Sequence, residues 1–202
     1  MKNLLLGLVA LCLVPFAFAK DFKEGENYDV IKMAAPTAQP EVTEYFSFLC
    51  PHCYRFEPIV HELAAQLPKD VKFTRNHVDF LGRDLGVELS RSYAVMELLG
   101  VEDKVAPKMF SAIHEQHVRL TGRDDIRKVF VAAGVPGEDF DSAVNSFSVN
   151  GRLAQMERNT QSADITGVPT VVVNGKYKVN MGSVSSKEEL FELVDYLTQK
   201  KD

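Results

Sequence analysis

The hydrophobic and polar positions of this chain predict an α/β fold whose strands come from both ends of the sequence. Runs rich in β-branched, aromatic and other apolar residues predict the strands, and the Asn174-Gly175 pair between the last two is a strong hairpin signal. The predicted strands cover residues 28–33, 42–49, 71–80, 170–173 and 177–179. The second strand is apolar on both faces apart from Thr43, Glu44 and Ser47, which is typical of a strand inside a sheet.

Apolar residues at helical spacing predict one helix after the second strand, a block of helices in the middle and one helix at the end. Phe56 and Leu63 lie on one face of the first helix, which is predicted over residues 51–67. Ser185 and Glu188 form a capping box that is expected to start the last helix. The helices of the middle block are predicted at residues 85–99, 104–117, 124–133, 138–147 and 149–162.

This order of elements predicts one sheet that is interrupted by a helical insertion. The strands and helix before the middle block and the hairpin and helix after it would belong to the same sheet. Residues 20–81 and 163–202 would therefore form one domain, and residues 82–162 the insertion. Gly100, directly after the first inserted helix, is a suitable C-cap.

The first nineteen residues have the pattern of a secretory signal peptide. Lys2 precedes an apolar run from Leu4 to Val14, and Ala17-Phe18-Ala19 supplies the small residues that a signal peptidase recognises. The apolar run is too short for an ordinary membrane span. Removing these 19 of the 202 residues leaves 183, which is enough for one sizeable domain. Without Lys2, 22 basic residues face 28 acidic ones, and this net charge of −6 argues against nucleic acid or an anionic membrane as partner.

Cys50 and Cys53 remain after removal of the signal peptide, in which Cys12 lies, and they form a Cys-Pro-His-Cys motif where a strand meets a helix. A helix N-terminus presents unpaired N–H groups and the positive end of the helix dipole, so the Cys50 thiolate is favoured over its thiol. Pro51 suits the first helical position, and His52 can add to the stabilisation by charge or by a hydrogen bond. Residues three apart share a helix face, so the two sulfurs can form and break a disulfide with little backbone movement.

Two other interpretations of this cysteine pair are a structural disulfide and a zinc site. A disulfide across so short a loop contributes only about 2 kcal/mol on loop-entropy grounds, which is a weak reason to keep it. Zinc needs about four ligands, and the sequence has no second CxxC and no HxxxH. His114 and His117 share a helical spacing that could bind a metal, but no cluster of carboxylates or cysteines accompanies them, so they are expected to be surface residues. An exported protein that keeps its only two thiols in a CxxC is expected to exchange disulfides.

Two further ionisable residues lie within predicted strands. Glu44 either turns outward at the strand end or is buried beneath the cysteine pair, where it could exchange protons with Cys53. The residues alone leave both alternatives open. His77 is expected to be an ordinary, partly buried histidine rather than a catalytic one.

Through nearly its whole length after residue 19, the sequence resembles the DsbA family of periplasmic thiol:disulfide oxidoreductases, which belongs to the thioredoxin superfamily. Besides the Cys50-Pro51-His52-Cys53-Tyr54 motif, the resemblance rests on short segments spread along the chain. These are Phe46-Ser47-Phe48, Phe56-Glu57, Gly100-Val101-Glu102-Asp103-Lys104, Gly167-Val168-Pro169 and Val173-Asn174-Gly175-Lys176-Tyr177. A CxxC alone is only moderately specific, but Pro-His inside it, an export signal, a helical insertion and a later Val-Pro make the combination highly specific.

The resemblance implies a thioredoxin fold with a helical domain inserted into it. It also implies that the protein works in the periplasm and introduces disulfide bonds into reduced, newly exported polypeptides by exchange through a Cys50/Cys53 disulfide. A DsbB-like, quinone-linked membrane oxidase would reoxidise it. Neither a bound cofactor nor a metal is expected, and the protein is expected to be a monomer.

The resemblance further implies roles for individual residues. The Val168-Pro169 peptide should be cis and lie against the active-site sulfurs, leaving the Val168 backbone to pair with a substrate strand. Gly167 is expected to permit this close approach. Glu44 matches a buried acidic residue of the family, which favours the buried alternative and a role in tuning the site. Arg75 stands where close relatives carry lysine, and because arginine stays protonated, proton exchange is disfavoured there while charge pairing is not.

Two other functions remain open. A reductase or isomerase could share the fold, although a dimeric isomerase needs a dimerisation domain for which 183 residues leave no room. A peptide-binding chaperone with incidental cysteines would keep its binding activity when Cys50 and Cys53 are both replaced by alanine, whereas an oxidase would lose its activity.

Overall fold

The structure is a computed structural model that describes residues 21–32 and 36–200, so the predicted signal peptide lies outside the described residues. Five strands and seven α-helices follow one another in the described part of the chain. None of these helices is long and apolar enough to cross a lipid bilayer. The strands are β1 (Tyr28–Val30), β2 (Glu41–Phe46), β3 (Lys72–His77), β4 (Thr170–Val173) and β5 (Tyr177–Val179). The helices are α1 (Pro51–Gln66), α2 (Asp84–Leu99), α3 (Glu102–His114), α4 (Arg123–Ala132), α5 (Gly137–Ala143), α6 (Phe147–Ser162) and α7 (Lys187–Gln199).

The five strands form one mixed sheet in the order β1-β5-β4-β2-β3. β2 and β3 are parallel and are connected through α1, whereas β4 is antiparallel to β2 and β5, and β1 is antiparallel to β5. Phe46 pairs with His77, and Tyr45 pairs with Thr170. The ends of β2 and β3 and the start of β4 therefore lie at one edge of the sheet, and this brings Cys50 and Pro169 to the same edge.

Helices cover both faces of the sheet. On one face, apolar side chains of α1 and α7 meet apolar side chains of the strands. This cluster includes Phe56, Val60, Leu63, Leu190, Leu193, Val194, Leu197, Val42, Val171 and Val173. On the other face α6 packs against the sheet, since Tyr45 Oη donates to the Asn159 carbonyl at 3.4 Å and Asn76 Nδ2 donates to the Met156 carbonyl at 3.2 Å. The predicted α/β sheet with helices inserted between its strands is confirmed.

The inserted helices share a buried core with the end of β2 and the start of α1. Both cysteines, Phe46 and Phe48 belong to the same cluster as apolar side chains of the insertion. Those side chains include Leu89, Tyr93, Met96, Met109, Phe110, Phe130, Phe140, Val149 and Met156. The insertion therefore supports the cysteine segment directly.

β2 ends at Phe46, three residues earlier than predicted, because a turn begins at Ser47. The Cys50 N–H donates to the Ser47 carbonyl at 3.0 Å, and the Leu49 N–H donates to Ser47 Oγ at 3.2 Å. Apolar residues continue through this turn, so the hydrophobic pattern alone does not mark where the strand stops.

The inserted helices begin and end within a few residues of their predicted positions. α2 is capped by Gly100 in the left-handed region (φ 63°), as predicted. α3 ends at His114, three residues early. α5 ends at Ala143, and Phe147 begins α6 instead of ending α5, because Ser146 caps α6 with its side chain.

The C-terminal hairpin follows the prediction, but the cap of α7 does not. Asn174-Gly175 forms the turn with positive φ at both residues. The capping box predicted at Ser185 and Glu188 is wrong by one residue, since Ser186 Oγ accepts the Glu189 N–H at 3.2 Å. The S-x-x-E pattern occurs in two overlapping registers, and the later one also lets the Glu189 carboxylate accept the Ser185 N–H at 2.9 Å.

Candidate active site

Cys50 is the N-cap residue of α1. Its backbone is extended (φ −89°, ψ 114°), and Pro51 is the first helical residue. The Cys53 N–H donates to Cys50 Sγ at 3.2 Å, and the Tyr54 N–H donates to the Cys50 carbonyl at 3.1 Å. The sulfur thus occupies the position of an N-cap acceptor, where negative charge is stabilised by the first N–H groups and by the helix dipole.

The two cysteines are free thiols in very different surroundings. Cys50 retains 5% exposure and is followed by exposed Pro51 and His52, whereas Cys53 is fully buried. Burial raises the pKa of the Cys53 thiol well above its usual range, and its hydrogen bond with Cys50 raises it further. An incoming sulfur can therefore reach Cys50, while Cys53 stays protonated behind it.

The loop before β4 contacts the more exposed sulfur. The Val168-Pro169 peptide is cis, and Cys50 Sγ donates to the Val168 carbonyl at 3.4 Å, so the predicted cis bond and the predicted proximity to Cys50 are both present. Gly167 is expected to permit this approach, but a Cβ at this position would meet no atom within 4 Å, so the approach does not depend on the missing side chain. The close approach is made by the backbone of Val168.

A largely buried charge cluster of Glu44, Glu57 and Arg75 lies near Cys53, since the charge on Glu44 acts on the Cys53 thiol. Arg75 Nε donates to Glu44 Oε2 at 2.6 Å, and both Nη atoms of Arg75 donate to the Glu57 carboxylate. The guanidinium also lies 4.1 Å from the centre of the Phe46 ring. One cation thus serves two carboxylates, and Glu44 is the fully buried one.

Glu44 is therefore buried, which was one of the two open alternatives. Burial raises the pKa of Glu44 to about 7. The Arg75 charge lowers this pKa, and the Glu57 charge raises it. Arg75 offsets only part of the effect of burial, because it also pairs with Glu57. Glu44 Oε1 has no hydrogen-bond partner among the described residues. Charge on Glu44 adds a smaller contribution to the raised pKa of Cys53. Charge pairing by Arg75 is present, as its permanent charge suggested.

Glu57 and Arg55 belong to the site but were not identified from the sequence. Glu57 lies four residues after Cys53 on α1, so helical spacing already placed it near the cysteine face. Arg55 lies three residues after His52, and its Nη2 donates to His52 Nδ1 at 3.0 Å. A guanidinium has only donors, so His52 accepts at Nδ1 and carries its proton on Nε2 in this arrangement.

Two histidines hold the turn before Cys50. His77 is fully buried rather than partly buried, and its Nε2 accepts the Phe48 N–H at 3.0 Å. Burial, with a smaller contribution from Arg75, lowers the pKa of His77 to about 3, so it is neutral. The expectation that His114 is a surface residue is wrong, because it is partly buried and its Nε2 donates to the Phe48 carbonyl at 2.8 Å. His117 is exposed as expected, and no group of three metal-ligating side chains occurs among the described residues.

The chain is similar in sequence to known proteins over its whole length. Residues 41–194 match the family model of the DSBA-like thioredoxin domain. The thiol:disulfide interchange protein DsbA of Dickeya dadantii is 42% identical over 210 residues, and that of Escherichia coli K12 is 40% identical over 210 residues. Both alignments cover 100% of each chain.

Solved structures of such proteins share the fold. A variant of Proteus mirabilis DsbA with one cysteine replaced by serine, in complex with the non-covalently bound peptide PWATCDS, has a TM-score of 0.84 at 37% identity. That match covers 90% of this chain and 100% of the other. DsbA of Pseudomonas aeruginosa has a TM-score of 0.80 at 34% identity and covers 88% of this chain and 93% of its own. The thioredoxin fold with inserted helices is therefore common to these proteins and to this chain.

Proposed function

This chain belongs to the DSBA-like thioredoxin domain family, and we propose how its site performs the activity for which its relatives are named. It is a thiol:disulfide oxidoreductase that introduces disulfide bonds into exported proteins through a Cys50/Cys53 redox pair. The observation that carries this function is the position of Cys50, whose sulfur is the N-cap acceptor of α1 and lies beside the cis-proline loop.

In the first step, a substrate thiolate attacks Cys50 Sγ of the oxidised protein. A bond forms between the substrate sulfur and Cys50 while the Cys50–Cys53 bond breaks, and Cys53 leaves with the electron pair. The attack falls on Cys50 because Cys53 is fully buried. Because its pKa is raised by burial, Cys53 then takes up a proton, which makes it a poor nucleophile for the reverse reaction.

In the second step, another substrate thiolate attacks the substrate sulfur of the mixed disulfide. The substrate disulfide forms, Cys50 leaves as a thiolate, and the protein is left as a dithiol with the two electrons of the substrate. The departing charge is stabilised at the helix N-terminus by the Cys53 N–H. Each 1.4 kcal/mol of this stabilisation makes the protein more oxidising by about 30 mV.

The substrate is a reduced, exported polypeptide that docks in extended form beside the cis-proline loop. The backbone of Val168 would pair with it next to Cys50, and Pro169 presents no N–H towards the sulfurs. The contact between Cys50 Sγ and the Val168 carbonyl supports this docking mode. The peptide bound to the Proteus mirabilis relative supports peptide binding in general.

The buried charge cluster tunes the Cys50/Cys53 pair. Glu44 would take up or release a proton as Cys53 changes state, since the pKa of Glu44 is about 7 and its charge acts on Cys53. Arg75 would act only through its fixed charge, which holds the second carboxylate at Glu57. His52, which lies in the first turn of α1 beside Cys50, would stabilise the Cys50 thiolate.

The family and the predicted export signal support a periplasmic setting for this protein. The protein would act in the periplasm as a monomer, without a bound cofactor, and a DsbB-like, quinone-linked membrane oxidase would restore its disulfide.

Residues 82–162 would form an inserted domain and residues 20–81 and 163–202 the thioredoxin-like domain.

A peptide with two reduced cysteines tests the function directly. The oxidised wild-type protein should convert about one equivalent of this dithiol peptide to its disulfide. In Cys53→Ala, Cys50 is first converted to its mixed disulfide with glutathione. A peptide with a single cysteine should then displace glutathione and form a mixed disulfide with Cys50, which mass spectrometry detects. The Cys50→Ala, Cys53→Ala double variant should be inactive. Undiminished promotion of client folding by the double variant would instead support a chaperone. A wild-type protein that reduces disulfides but does not form them would support a reductase.

A further inference from the structure

The turn that connects β2 to α1 contains Phe48, whose backbone N–H and carbonyl have no hydrogen-bond partner in either element. Phe48 lies between the strand and the helix and is fully buried, so water cannot satisfy its N–H or its carbonyl. Its N–H donates to His77 Nε2 at 3.0 Å, and its carbonyl accepts from His114 Nε2 at 2.8 Å. Two histidines from two different elements thus hold the two backbone groups of a residue that lies two positions before Cys50.

The partners fix the proton positions of both rings. A backbone N–H can only donate, so His77 Nε2 carries the lone pair, and its Nδ1–H donates to Ser90 Oγ at 2.7 Å. A carbonyl can only accept, so His114 Nε2 carries a proton. His77 therefore accepts a hydrogen bond from Phe48, and His114 donates one to it. Only a side chain with a donor at the position of Nε2 can replace His114.

His114 is itself held in place from the other side of the CxxC motif. Its ring stacks on Tyr54, with centroids 5.2 Å apart and an angle of 10° between the planes. Tyr54 Oη in turn donates to the carboxylate of Glu115, the residue after His114. The end of α3 thus contacts the chain just before Cys50, at Phe48, and just after Cys53, at Tyr54.

We propose that His114 is a positioning residue for Cys50: through the Phe48 carbonyl it fixes where the sulfur lies relative to the helix N-terminus and the Val168 carbonyl. This role of His114 rests on the exchange proposed above for Cys50. It assigns to the helical insertion a part in the reaction, because α3 supplies the donor. Thiol–disulfide exchange needs the attacking, central and leaving sulfurs to be aligned, so a small displacement of Cys50 slows the reaction.

His114→Gln and His114→Met form a matched pair that isolates the hydrogen bond. The two replacements have the same length and both remove the ring that stacks on Tyr54, but only glutamine places an N–H donor near the position of Nε2. Asn174→Ala is the control for stability, because it removes hydrogen bonds from Asn174 Nδ2 to the Leu197 and Thr198 carbonyls at the other end of the sheet.

The rate at which each oxidised variant accepts electrons from a dithiol peptide, measured by stopped flow well below its melting temperature, tests the assignment. His114→Met should react about tenfold more slowly than the wild type, and His114→Gln should recover to within about threefold. Asn174→Ala should melt at a lower temperature and keep the wild-type rate.

Equal rates for the glutamine and methionine variants, or a rate of Asn174→Ala that falls as far as that of His114→Met, would overturn the role of His114. If His114→Met does not fold, the glutamine variant still decides, because a tenfold loss in His114→Gln contradicts the role of the donor. A wild-type protein that does not oxidise the peptide would refute the proposed function itself, and the two failures are therefore distinguishable.

Discussion

Replacing Glu44 by glutamine should change how the stability of the folded protein depends on pH. Glu44 is fully buried, shares Arg75 with Glu57, and has one carboxylate oxygen without a hydrogen-bond partner in the described part of the chain. Its ionisation therefore opposes folding, in contrast to the usual surface carboxylate that gains from a salt bridge.

The magnitude follows from the difference in proton affinity between the folded and unfolded chains. Burial raises the pKa of Glu44 from 4.5 to about 7. Between these values the folded protein holds one more proton than the unfolded chain, so the free energy of unfolding falls as the pH rises. The stability that the protonated carboxyl provides is fully present below about pH 4.5, is lost as the pH rises through about 7, and amounts to about 3 kcal/mol.

Urea denaturation of the reduced wild-type protein and the reduced Glu44→Gln variant, at several pH values from 4.5 to 8, measures this contribution. The difference between the two free energies of unfolding isolates Glu44, because other titrating groups are common to both proteins. We expect the difference to shift by about 3 kcal/mol in favour of the variant over this range. Glutamine stays neutral, so its own contribution should not vary with pH.

A difference that does not change with pH would refute the assignment of a raised pKa to Glu44. A change of the opposite sign, with the wild type gaining relative to the variant as the pH rises, would show that the salt bridge to Arg75 outweighs the cost of burial. Either result would also remove Glu44 as a group that exchanges a proton near pH 7 when Cys53 changes state.

Three further predictions concern the cysteines and the histidine between them. Alkylation of the reduced protein below pH 6, followed by peptide mapping, should label Cys50 and leave Cys53 unmodified, because Cys53 is fully buried and its pKa is raised; equal labelling would contradict this. His52→Ser should make the protein less oxidising, by about 30 mV if His52 contributes 1.4 kcal/mol to the thiolate, as measured by equilibration with glutathione; an unchanged potential would assign the stabilisation to the helix terminus. The reduced form should unfold at a higher denaturant concentration than the oxidised form, because an oxidising pair is one whose dithiol is favoured, and the reverse order would indicate a reductase or a structural disulfide.

The sequence contains enough information to predict the sheet and the position of the redox pair. Local signals such as the Cys-Pro-His-Cys motif at a strand–helix junction and the Asn174-Gly175 turn depend on neighbouring residues, and both are present in the structure. The cis bond before Pro169 is different, because it was expected from resemblance and not from any local rule.

The sequence alone does not predict contacts between elements that are far apart along the chain. Arg75 pairs with both Glu44 and Glu57 because β3 lies beside β2 and α1 packs over them, and nothing in the sequence around Arg75 indicates two partners. His114 lies near the end of a predicted helix, in a pattern with His117 that is typical of surface residues. It nevertheless contacts Phe48, because the end of α3 packs against the turn after β2. Such roles depend on the tertiary arrangement, and periodicity within one element does not reveal them.

The equilibrium between the Cys50/Cys53 pair and glutathione tests the central claim most directly. A protein that introduces disulfides has to hold its own disulfide less tightly than its substrates do, and the N-cap position of the Cys50 sulfur provides the physical reason. We expect the reduction potential to lie above about −200 mV, more oxidising than the value of about −270 mV for thioredoxin. A potential at or below about −270 mV would contradict the claim, because the Cys50/Cys53 disulfide would then be too stable to oxidise exported proteins.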